Sequence, residues 1–184
     1  MKLMVPKTEL RYDYEYAKRV YQGNKDFEDV WQNIINQGGA FEELYEKLIN
    51  RILKIIPQYT GFCWEEYADR FIPIYFADSF PSLPHPLTLS INENPGIMLV
   101  DLIHELVHCN MYCGFKTKQL QEGYINLVTR SVIQKLSLNL NDEIEEFEKA
   151  SELETKIIPE KINLDINKNT IKQYLNRPRS RGGD

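Results

Sequence analysis

The chain has 184 residues, 42% hydrophobic, 27% charged and 11% aromatic, an ordinary globular composition with enough apolar mass for one core. Its net charge of −5 argues against nucleic acid as a partner, because counterion release from phosphates needs a basic surface. Cys63, Cys109 and Cys113 are too few, and odd in number, for a disulfide framework, so a reducing, cytoplasmic setting is expected. No N-terminal apolar stretch reads as a signal peptide, and the most apolar segment, 97–107, carries Asp101, His104 and Glu105. No membrane partner is expected.

Residues 11–56 read as helical. Asp26 caps a helix with Phe27, Val30, Trp31, Ile34 and Ile35 at helical spacing, and Gly38-Gly39 is expected to break it. Phe41, Leu44, Leu48, Ile52 and Ile55 then form the stripe of a second helix that ends before Pro57. Tyr12, Tyr14 and Tyr16, without a basic groove beside them, are expected to pack between helices rather than to stack on bases. The period changes at 71–77, a β-branched and aromatic run in which Pro73 predicts an edge or a bulge. Residues 79–86 hold three prolines and read as a loop, and 87–92 alternate as a half-buried strand. Asn94-Pro95 starts a helix expected to run to Cys113, with Gly114 as its stop.

Helices follow over 118–137 and 141–158, the second with seven acidic residues against Lys149 and Lys156. From Pro159 the balance reverses to six basic residues against three acidic ones. Residues 1–158 thus read as one α+β domain and 159–184 as a basic, mobile tail.

The segment 101–108, Asp-Leu-Ile-His-Glu-Leu-Val-His, carries the chemistry. His104 and His108 lie one turn apart on one helix face, so both imidazoles can converge on a single ion, with Glu105 beside them to hold a metal-bound water. Asp101 and Tyr112 fall on the same face. The helix is otherwise apolar nearly all round, and buried ionisable groups are costly unless paired or metal-bound. At this chain's His and Glu frequencies such a string arises by chance in about one chain in two hundred. Zinc needs a third protein ligand and an open position. Glu122, fourteen residues after His108 in the next helix, is the best candidate, because a tight turn near Gly114 would bring it back to the pair. Gly123 suits a close approach, and Asn126, on the face of Glu122, is placed to orient an imidazole. His85, between two prolines, is poorly placed as a ligand.

His104-Glu-Leu-Val-His108 followed by Glu122-Gly-Tyr-Ile-Asn126 resembles the gluzincin zinc metallopeptidases, and in its short spacing the minigluzincins. The match covers residues 101–135. It implies a zincin-like domain with backing helices, a small mixed sheet with an edge strand, an active-site helix and a glutamate helix. It also implies one zinc held by His104, His108 and Glu122, with Glu105 as general base on a peptide or protein substrate. By position, 87–92 would be the edge strand that receives the peptide. Family members usually add an oxyanion-stabilising Tyr or His; Tyr174, Tyr124, Tyr112 and Arg130 are the candidates here. A peptide deformylase pattern would need a Glu-Gly-Cys context that Cys63 lacks, and Cys109 and Cys113 read as core filler. The competing reading is a zincin-fold binding or regulatory module with weak or latent catalysis. The charge asymmetry of the basic tail adds a third idea, an autoinhibitory or oligomerising arm folded over the cleft or over the acidic segment before it.

Overall fold

The computed structural model describes residues 5–64, 71–78, 82–111 and 118–150. The architecture is α+β. Among the described residues the order is β1 (Lys7–Arg11), α1 (Tyr14–Val20), α2 (Phe27–Thr60), β2 (Phe71–Ala77), β3 (Leu83–Pro84), β4 (Leu87–Ser90), α3 (Pro95–Asn110), α4 (Lys118–Leu136) and α5 (Asn141–Ala150). The sequence reading missed β1. It has no apolar run, only Lys7, Glu9 and Arg11 alternating outward at a charged sheet edge.

The two glycines do not divide α2, which is continuous over 34 residues. Gly38 is buried, and a Cβ built there would stand 2.6 Å from the Tyr12 ring. Tyr12 in turn stacks on Phe76 at 5.1 Å. Gly38 therefore marks where an aromatic ring crosses the helix, and Gly39, with nothing within 4 Å, has no such duty. Gly38→Ala is expected to cost about 1–3 kcal/mol through overpacking, and Gly39→Ala to gain up to about 1 kcal/mol from helix propensity. Chemical denaturation of the pair checks this contrast.

Nor does α2 stop before Pro57. Proline removes the N–H that would bond the Leu53 carbonyl, and the buried Trp64 indole donates to that carbonyl instead, at 2.8 Å. The helix therefore gains another turn and closes at Gly61 in the left-handed conformation, φ 73°.

The mixed sheet has the order β1-β2-β4-β3, with β1–β2 and β2–β4 parallel and β3–β4 antiparallel. Ile72, Ile74 and Phe76 are buried on one face, where Phe76 meets Phe41 of α2. On the other face Tyr16 of α1 stacks on Tyr75 at 4.5 Å, while Tyr14 packs on Phe27 and Trp31. Two of the three early tyrosines thus serve the sheet rather than a helix pair. Pro73 pairs with Glu9 of β1, and β4 joins β2 only from Tyr75 onward. Among the described residues it has a strand on one side alone, so its missing N–H is tolerated.

One expectation about the sheet is corrected. β4 is internal, because the chain reverses after Pro84 and lays Leu83 and Pro84 back against Thr88 and Leu87. Among the described strands the edges are β1 and β3. Prolines hid β3 in the sequence, yet an outermost strand is where they are allowed.

No described helix is long and apolar enough to cross a membrane. Residues 112–117 and 151–184 lie outside the described residues, and with them Tyr112, Cys113, Gly114, the end of the acidic helix, Tyr174 and the basic tail.

Candidate metal centre

Helix α3 starts with Pro95 in its first turn and Asn94 Oδ1 accepting from the Gly96 N–H at 2.8 Å. From Gly96 to Asn110 every residue is buried except the half-buried Asp101 and His108. A helix this apolar is held by packing on all sides, which makes its few polar groups geometrically fixed. Helix α4 packs against both α3 and α2, and its Ile125, Val128 and Val132 are fully buried.

The two helices bring three ligand atoms together. His104 Nε2 lies 3.1 Å from His108 Nε2, His108 Nε2 is 3.2 Å from Glu122 Oε2, and His104 Nε2 is 3.3 Å from the same oxygen. Donor atoms bound at about 2.0–2.1 Å in a tetrahedral zinc site are separated by roughly 3.3 Å, so the triangle has the size that such a cation needs. Protons alone serve it poorly. Each of the three short contacts needs a hydrogen of its own, and two neutral rings carry at most two Nε2 protons. A single cation satisfies all three.

The protonation states agree. Burial pushes His104 below the usual imidazole range, against the hydrogen bond to Glu122. Burial would raise Glu122, but hydrogen bonds from His104 and His108, together with their charge, hold its carboxyl down at about 2. A neutral imidazole and an ionised carboxylate are the forms that bind metal.

Glu105, 6% exposed, belongs to the same region, and its Oε2 has no hydrogen-bond partner among the described residues. Burial, and then the charges of Asp101 and Glu122, push its carboxyl up to about 8. Asp101 accepts from the Ser82 hydroxyl at 3.0 Å, and burial raises it to about 6. Its described partner thus lies just before β3 rather than in the cluster. Asn126, one turn beyond Glu122, is buried and close enough to His104 to favour its protonated form.

Tyr124 is two positions from Glu122, roughly 200° round the helix. It is buried, and its hydroxyl donates to the Tyr59 carbonyl of α2 at 3.3 Å. Arg130 is exposed two turns further along α4, His85 is exposed between β3 and β4, and Cys109 is buried with its thiol donating to the Pro84 carbonyl.

Sequence reading missed Gln121, whose Nε2 lies 3.4 Å from His108 Nδ1. A ring that binds metal through Nε2 carries its proton on Nδ1, so the facing atom is then the Gln121 carbonyl oxygen after a turn of the amide. The available signal was its place just before Glu122, at the border of the same helix face. Gln121→Ala is expected to weaken metal-ion binding at the cluster by about 10–100-fold, read by competition with a chromophoric chelator.

The described chain is therefore an α+β protein with a buried His104/His108/Glu122 cluster able to hold a metal ion. No family model, no curated protein and no solved structure matches the chain.

Proposed function

We propose that the protein is a zinc-dependent peptidase in which His104, His108 and Glu122 hold one zinc and Glu105 is the general base. The observation that carries this reading is the convergence of three ligand atoms within 3.1–3.3 Å, beside a buried carboxylate oxygen that nothing described satisfies. Two imidazoles and one carboxylate form the donor set of a catalytic zinc with an open position, whereas structural sites close with four protein ligands. The gluzincin pattern over residues 101–135 supports the same assignment. When bound, zinc supplies Lewis acidity and a water acidified to near neutral pH.

Glu105 takes the proton of the attacking water and delivers it to the departing amine nitrogen. A cation beside it favours its ionised form, offsetting the burial and the acidic neighbours that raise its carboxyl. His104 and His108 would hold the ion through their Nε2 atoms, and Gln121 and Asn126 orient the two rings. The expected substrate is a peptide or protein, and the expected compartment the cytoplasm.

Metal analysis of the purified chain, followed by a quenched-peptide assay with and without chelator, tests the reading. One zinc per chain and chelator-sensitive cleavage support it, and absence of either refutes it. A second reading, a zincin-fold binding module with weak or latent catalysis, is favoured by the engagement of the Tyr124 hydroxyl at Tyr59. No residue is then left among the described ones in an evident oxyanion role. Stoichiometric zinc without cleavage is its signature.

A further inference from the structure

Asp101, Glu105 and Cys109 are spaced four apart on α3 and so lie along one stripe, next to the stripe of His104 and His108. The outermost part of the sheet is tied to both ends of that stripe. The Ser82 hydroxyl donates to Asp101 Oδ2 at 3.0 Å and accepts from the Ser90 N–H of β4 at 3.0 Å. Two residues on, the Pro84 carbonyl accepts from the Cys109 thiol at 3.3 Å. Glu105 is the residue midway along α3 between these tethers, and β3, an outer strand of the sheet, packs against that helix.

We propose that Ser82 is a positioning residue for substrate: its hydroxyl, bonded at once to Asp101 and to the Ser90 amide, fixes the rim strand β3 alongside Glu105, where an extended peptide is received. The inference rests on the peptidase reading. It assigns Asp101 a part that metal binding does not require, that of an acceptor anchoring the rim to the metal-binding helix. It also moves the peptide-receiving edge from β4, which is internal, to β3. Ser82 acts through β3 and touches neither the ligand atoms nor Glu105 in the described contacts.

The test compares zinc-loaded wild type, Ser82→Ala and Ser82→Thr by steady-state kinetics on a quenched peptide and by amide exchange at Ser90. In Ser82→Ala, KM is expected to rise roughly five- to tenfold, the effect of one lost hydrogen bond. Its kcat and zinc content are expected to hold, and Ser90 exchange to quicken about tenfold. Ser82→Thr, which keeps the hydroxyl, restores KM. A cleaving wild type with KM unchanged in Ser82→Ala overturns the inference alone, as does a Ser82→Thr that fails to restore KM. A parallel fall in kcat and zinc content also overturns it, because that marks general loss of the site. A zinc-loaded wild type that does not cleave the peptide overturns the peptidase reading, and this inference with it.

Discussion

Glu105→Gln is expected to keep one zinc per chain and to lose peptide hydrolysis by about a thousandfold, the scale of a removed general base. Zinc is retained because the three ligand contacts are made by His104, His108 and Glu122 alone. Metal analysis beside the peptide assay reads both outcomes, and persistent hydrolysis refutes the assignment. The same variant carries a pH signature in the metal-free protein. Glu105 has a folded value of about 8 against an ordinary 4.5, so the folded state holds a proton that the unfolded chain releases. Its contribution is complete below about pH 4.5 and is lost as pH rises through about 8. Gln cannot ionise and escapes that loss. Metal-free Glu105→Gln is therefore expected to be the more stable protein at pH 8, by up to about 4 kcal/mol, with the gap closing toward pH 5.

His108→Ala is expected to abolish stoichiometric zinc binding. His108 Nε2 makes two of the three short contacts, 3.1 Å to His104 and 3.2 Å to Glu122, and the two donors left are too few to retain zinc against a weak chelator. Hydrolysis should vanish with the metal, and adding excess zinc should not restore it. In the wild type, zinc should raise the melting temperature in proportion to the logarithm of its free concentration, a dependence that His108→Ala lacks. A full zinc complement in this variant would show that the ligand set is wrong.

What the sequence revealed followed from local rules. Four-residue spacing places His104 and His108 together whatever the rest of the chain does, and Asn94-Pro95 starts α3 through its own side chain and ring. The meeting of Glu122 with the pair was legible only as a distance along the chain, and packing of α4 on α3 makes it real. The misses were all decided by remote partners. Gly38 looks like a breaker until Tyr12 is found against it, and Pro57 looks like a terminus until Trp64, seven residues later, serves the Leu53 carbonyl. β3 lies in a proline-rich stretch and becomes a strand only because β4 gives it a template. Gln121 carries no motif beyond its place next to Glu122, and the approach of its helix to His108 gives that place its meaning.

The cluster draws two donors from one helix and one from the next, and both helices are already clamped by a large apolar interior that includes Leu102, Leu106, Ile125 and Val128. Ion capture here is not what makes the chain fold, as it is in a zinc finger. Without an ion the protein should stay native with its three donors already gathered, so a cation that enters or leaves should change the site and not the fold.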